Sequence, residues 1–166
     1  MFNALFTKTD EYAKLAQALG SPGACALFGI PGAGRALVYA ALARALEKPL
    51  CIVTPGEAEA TRFAGDLNAL GMAAAVFPAR DYVLRPIEGT AREYEYRRLS
   101  VLGDLVGGRL QAVCVPGEGL TQFTTPRADF CANTRSLHPG DTLPRAELTA
   151  LLYGAGYTRR DQVDGC

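Results

Sequence analysis

The sequence lacks most of what would build an enzyme centre or a membrane protein. It holds a single histidine, His138, far from any poised nucleophile, so no Ser/His/Asp or Cys/His set can be argued. No apolar run approaches the ~18 residues of a membrane span. Met1 to Asp10 has no basic start followed by an apolar stretch, so no secretion signal is read there. Neither charge dominates: Lys and Arg number 17, as do Asp and Glu, and no global basic field draws the chain to nucleic acid. The five cysteines (Cys25, Cys51, Cys114, Cys131 and Cys166) include no Cys-x-x-Cys pair, and three sit in short apolar runs. That pattern predicts reduced, buried thiols in a cytoplasmic protein. A zinc site is the alternative, but the ligand spacing for one is missing.

What is present is a chain of 166 residues, 49% of them apolar, enough for one domain with a real core and part of another. Asp10 to Leu19 reads as a helix: Tyr12, Leu15, Ala16 and Leu19 recur at helical spacing, Thr9 can cap the start and Gly20 can end it. Four short apolar runs read as buried parallel strands: Ala24 to Phe28, Leu50 to Val53, Ala74 to Phe77, and Ala112 to Val115. Helical patterns separate them. Leu37, Val38, Ala41, Leu42 and Leu46 share one face before Pro49. Thr54 to Glu57 has the form of a capping box with Pro55 at the first helical position, opening a helix that turns Phe63, Leu67 and Leu70 inward and ends at Gly71. Thr90 to Glu93 is a second box, opening a helix with Leu99, Leu102 and Leu105 that stops at Gly107 and Gly108.

This alternation predicts an α/β fold, a parallel sheet covered by helices on both faces. The character changes between residues 116 and 126. Pro116 to Glu118 can start a helical turn, and Thr124 to Pro126 breaks it. Phe130 to Leu137 looks extended, Pro139 to Asp141 is a turn, Pro144 to Ala155 is a short helix with Leu148, Leu151 and Leu152 on one face, and Tyr157 to Val163 alternates weakly like a strand. Residues 1–120 are therefore assigned to the α/β domain and 121–166 to an incomplete second, small α+β domain.

Directly after the first apolar run stands Gly29-Ile30-Pro31-Gly32-Ala33-Gly34-Arg35-Ala36, with the spacing of a phosphate loop. Such glycines let backbone N–H groups and a helix start face an anion. The side chains that make the loop work are absent. Arg35 stands where a lysine reaches the outer phosphates, and its planar fork is not an equivalent charge. Ala36 stands where a hydroxyl holds magnesium, and it cannot ligate a metal. No acidic pair ends an apolar strand: Ala112 to Val115 runs into Pro116-Gly117, and Glu118, Glu57 and Glu59 read as first-turn helix residues. Arg92, Arg97 and Arg98, beside Glu93 and Glu95, read as a solvated helix face with i,i+4 pairs, and His138 as a surface residue at a turn.

Taken in order, several segments resemble one family. They are the degenerate loop, Val53-Thr54-Pro55-Gly56-Glu57-Ala58-Glu59-Ala60, Phe77-Pro78-Ala79-Arg80-Asp81, Arg97-Arg98-Leu99, Pro139-Gly140-Asp141-Thr142-Leu143, and Gly156 to Val163. From about Leu5 to Val163 the chain resembles the N-terminal, UvrB-like region of bacterial transcription-repair coupling factors (Mfd). The resemblance implies a phosphate-loop-type domain like the first domain of UvrB, degenerate in its loop, followed by part of an inserted domain that binds UvrA. It implies a parent protein that displaces stalled RNA polymerase with an ATP-driven, magnesium-dependent motor located elsewhere. RNA polymerase and DNA would be met through other parts of that parent. Residues Tyr82 to Gly89 are too few for the DNA-clamping hairpin of UvrB. On this reading the chain itself is no enzyme, takes no cofactor, touches no membrane, and stops within the UvrA-binding domain, so that alone it binds UvrA weakly or not at all. The family's Tyr-x-Arg-x-Asp strand places a UvrA-contacting arginine at Arg159, with Arg160 on the opposite strand face. Two other readings stand beside this one: an active ATP-binding domain of a UvrB-like or helicase-like repair ATPase, disfavoured by Arg35 and Ala36, and an unrelated α/β binding protein that keeps the loop as a relic.

Overall fold

The computed structural model describes residues 6–80 and 93–160, with nothing said of the Ala33 side chain. The chain divides into two compact units, Met1–Phe123 and Thr124–Cys166. Element order in the first is α1 (Asp10–Leu19), α2 (Gly32–Leu46), β1 (Leu50–Thr54), α3 (Glu57–Ala69), β2 (Ala74–Val76), α4 (Glu93–Val106), β3 (Ala112–Pro116) and the single turn α5 (Gly117–Leu120). The second unit contributes α6 (Arg127–Ala132) and α7 (Arg145–Gly154).

The sheet has three parallel strands in the order β1-β3-β2. β3 pairs Leu50 and Ala74 with Ala112, and Ile52 and Val76 with Cys114. Side chains alternate between faces along each strand. One face turns Ala112, Cys114, Ile52 and Val76 toward Ala36, Ala40, Phe63 and Leu67 of α2 and α3. The other turns Val113, Val115 and Ala75 toward Val101 and Leu102 of α4. Both crossovers are helical, as parallel strands require. The small residues of α2, Ala36, Ala40 and Ala43, let it pack closely on α3 in this core. α1 then covers the outer side of α2 through Tyr12, whose hydroxyl donates to the Ala41 carbonyl at 3.1 Å. The Thr9 hydroxyl caps α1 by accepting from the Tyr12 N–H at 3.3 Å. α3 closes with paired backbone bonds, Gly71 N–H to Asn68 O and Met72 N–H to Leu67 O, with Gly71 at φ +76°. Beyond it the Asn68 amide brackets Ala74, donating to its carbonyl at 2.9 Å and accepting from its N–H at 3.1 Å.

Several expectations change. Ala24 to Phe28 forms no strand: residues 21–29 are irregular and exposed, with Phe28 87% accessible. Ala24, Cys25 and Ala26 carry too little apolar surface to offset the ordering of the backbone, about 1–2 kcal/mol per residue. The loop that follows therefore has its helix and lacks its strand. The N-cap of α3 is Gly56 and not Thr54, whose hydroxyl instead donates to the Gly56 carbonyl at 2.9 Å, and Pro55 lies outside the helix. The second box lies outside the described residues apart from Glu93, as do Arg92 and the segment Tyr82 to Gly89. Only Cys114 of the described cysteines is buried; Cys25, Cys51 and Cys131 are exposed, and all four are free. Burial pushes the Cys114 thiol up to about 11, with Cys51 adding a smaller push, so it stays protonated and unreactive at neutral pH. Phe130 to Ala132 is helical, and residues 134–138 and 157–160 form no strand.

The inward face of α4 also differs. Leu99 and Leu105 are exposed, and the buried residues are Arg98 and Val101. Arg97 does pair with Glu93 on the surface at 3.1 Å. Arg98, 3% exposed, lies over the Phe77 ring at 4.0 Å from its centroid. Its Nη1 donates to the Pro78 carbonyl at 2.7 Å and to Gln122 Oε1 at 3.3 Å. Gln122 holds Arg80 from both sides, accepting from its N–H at 2.6 Å and donating to its carbonyl at 3.0 Å. One buried guanidinium thus ties α4 to the segment leaving β2 and to Gln122, which follows α5. A charge can be buried there because aromatic and carbonyl groups replace its water. Arg98→Ala removes those bonds and leaves the Pro78 carbonyl short of a partner. Urea unfolding should show a loss of about 2–4 kcal/mol, against less than about 1 kcal/mol for Arg97→Ala.

Neither α6 nor α7 contains a buried residue. Hydrogen exchange should therefore be fast across residues 124–160 and slow in β1, β2 and β3. Equal protection in both units would show that the second gains a cover from a partner or a second copy.

Candidate functional site

Two places carry the residues singled out in the sequence, one in each unit. The first is the glycine loop. Gly29 sits at φ +81°, a left-handed conformation that suits glycine, and the chain then enters α2 through Pro31 with no side-chain cap. Gly32 is the first helical residue. The Gly34 N–H is already spent on the Pro31 carbonyl at 2.8 Å, and a Cβ at Gly34 would meet Ile30 Cγ2 at 3.1 Å. Arg35 is exposed, with no ion pair among the described residues. Ala36 points the opposite way: 1% exposed, it packs in the core beneath α2. The position a magnesium-binding hydroxyl would occupy is spent on helix packing. Among the described residues no cluster of three His, Cys, Asp or Glu could hold a metal ion. His138 is exposed, its N–H accepted by the Asp141 carboxylate at 2.8 Å in the turn.

The second place is a groove along α7. Arg145, Thr149 and Tyr153 recur every fourth residue and so share one helix face. The chain reverses at the helix end: Gly156, at φ +85°, gives its N–H to the Tyr153 carbonyl, and the Tyr157 N–H reaches the Leu152 carbonyl at 2.9 Å. This closure needs a left-handed residue at 156, which glycine adopts without strain. It sends Tyr157 to Arg160 back along the helix. Two adjoining depressions of about 670 and 330 Å³ result, sharing Arg145, Thr149, Tyr153 and Arg159 in their walls. Arg160 lines the smaller one, so with no strand at 157–160 the two arginines border the same hollow and do not face apart. The Thr149 hydroxyl is tied to the Arg145 carbonyl at 2.8 Å, and the arginines, the tyrosine hydroxyls and Thr158 supply the other polar groups. Glu147, the one acid on α7, pairs with Arg135 at 3.5 Å and does not line the groove. Sequence reasoning named Arg159 and Arg160 and passed over Arg145. Its signal was the four-residue recurrence with Thr149 and Tyr153.

Fold and groove together describe an α/β unit with a three-stranded parallel sheet, followed by a small helical unit with an arginine- and tyrosine-lined surface. No protein-family model matches the chain. It is similar to the transcription-repair-coupling factor of Bacillus subtilis (strain 168), 24% identical over 139 residues, which make up 82% of this chain and 12% of that protein. The similarity is distant and suggests a relation to coupling factors. No helix among the described residues is long and apolar enough to cross a membrane.

Proposed function

We propose that the chain is a non-catalytic module of transcription-coupled repair that docks UvrA through its second unit. The similarity to a coupling factor along 82% of the chain carries the reading. The first unit is then a phosphate-loop domain of the UvrB type in which the loop has become scaffold, and the second unit corresponds to UvrB's UvrA-binding domain. The buried Ala36 and the exposed Arg35 support loss of nucleotide chemistry, because neither supplies what a bound Mg-nucleotide demands. Arg159 is exposed in the groove and offers a planar fork of donors to a partner's carboxylate. RNA polymerase displacement and ATP hydrolysis belong, on this reading, to other parts of a longer parent.

Calorimetry with ATP and magnesium should show no saturable binding at millimolar ligand, a binding free energy on the order of 4 kcal/mol or less. Micromolar, magnesium-dependent binding would reverse the assignment in favour of an active repair ATPase.

The UvrA assignment is tested by surface-plasmon response of the immobilised chain at high concentrations of purified UvrA. Arg159→Ala should weaken that binding by about 1–3 kcal/mol and leave the melting temperature unchanged, since the side chain is exposed. Identical affinity in the variant would remove Arg159 from the interface.

A further inference from the structure

The groove along α7 has a chemistry that reaches beyond one arginine. Three guanidinium groups, those of Arg145, Arg159 and Arg160, border it, and among the described residues no carboxylate does. Its apolar lining comes from Leu152, Tyr153 and Tyr157, with the two tyrosines 55% and 59% exposed. The second unit as a whole is not basic, since arginines and carboxylates balance over residues 124–166. The positive charge is therefore local to the groove, too confined for the extended phosphate track that nucleic acid binding uses. Clustered arginine and tyrosine, with no carboxylate beside them among the described residues, is the composition of the energetic centre of a protein interface.

We propose that this groove seats an acidic segment of a protein partner, with Arg145 and Arg159 as paired carboxylate-binding forks and Tyr153 and Tyr157 as its apolar walls. The inference rests on the reading of Arg159 as partner-binding and adds Arg145 as a second determinant. Arg145 lies at the start of α7 and Arg159 past its end, so only the reversal at Gly156 brings them to one groove. The partner chemistry follows from what is offered: each fork satisfies a carboxylate in two parallel hydrogen bonds, and between them the tyrosines accept an aliphatic or aromatic side chain.

The test is an amide-resolved NMR titration of the full, isotope-labelled chain. The probes are an acidic peptide of glutamates with leucine at every third position, the same peptide with glutamine for glutamate, and a single-stranded oligothymidylate. The acidic peptide should shift amides within residues 145–160 and its glutamine counterpart should not. Arg145→Ala and Arg159→Ala should each weaken the acidic peptide by about fivefold or more, and Arg127→Ala, the same change in charge away from the groove, by less than about twofold. Shifts from oligothymidylate without the acidic peptide would make this a nucleic acid surface and overturn the proposal. An Arg127→Ala effect equal to that of Arg145→Ala, or no response to the acidic peptide, would overturn it too. Purified UvrA separates the two readings. Loss of UvrA binding in Arg159→Ala but not in Arg145→Ala keeps UvrA and removes the paired fork. Arg145-dependent peptide binding together with a UvrA response that neither Arg145→Ala nor Arg159→Ala changes keeps the groove and removes UvrA from it.

Discussion

The central strand β3 takes parallel partners on both edges and helices on both faces, and all five of its residues are buried. Every other element of the first unit is placed by that enclosure. Its small and branched side chains, Ala112, Val113, Cys114 and Val115, allow α3 and α4 to approach from opposite sides. α2 docks on α3 and α1 on α2, each a layer further from the strand. The cover thins at the β1 edge. Cys51 and Val53 lie in register with Val113 and Val115, yet α4 does not reach them and both are exposed.

The same enclosure explains why a charge sits inside. α4 must cross from the end of β2 to the start of β3, and at residue 98 its inward face meets the carbonyls of the segment leaving β2. An aliphatic side chain there would leave the Pro78 carbonyl without the donor it has from Arg98. A guanidinium supplies donors and still packs on Phe77 through its flat face. Gln122 completes the arrangement from the far side of β3, so three stretches distant in sequence close on one cation.

Elements whose signals were local and redundant were legible in the sequence. α1 had periodic apolar residues, a threonine cap and a closing glycine, and it forms as read. β1 and β3 were legible from branched apolar residues between turn signals. Ala24 to Phe28 resembled them in hydropathy alone. Its first three residues are too small to hold it in a sheet, a matter of buried area that a run of apolar letters does not record. The face of α4 was misread because leucines at positions 99 and 105 outweighed an arginine, whose inward place rests on groups distant in sequence, the Pro78 carbonyl, the Phe77 ring and Gln122 among them. In the second unit the short helix ending at Ala155 was legible, while the partnership of Arg145 with Arg159 depends on the direction the chain takes after it.

The glycine loop and the α7 groove show opposite fates for charged chemistry on a scaffold. At the loop, a backbone turn leads into a helix start, but Ala36 lies in the core and the Gly34 N–H is taken by the Pro31 carbonyl. A polar side chain at 36 would have to displace packing against α3, so that position is held by stability whatever nucleotide is offered. At the groove nothing is held by packing. The helix carrying Arg145 buries no residue, and the unit has little apolar area with which to stabilise itself. Exposed arginines and tyrosines in so thin a unit cost little in the free chain, and an interface would supply the hydrogen-bond and apolar partners that the proposal gives them. A surface of that kind is more economical for recognition than for catalysis, which requires groups fixed in place before the ligand arrives.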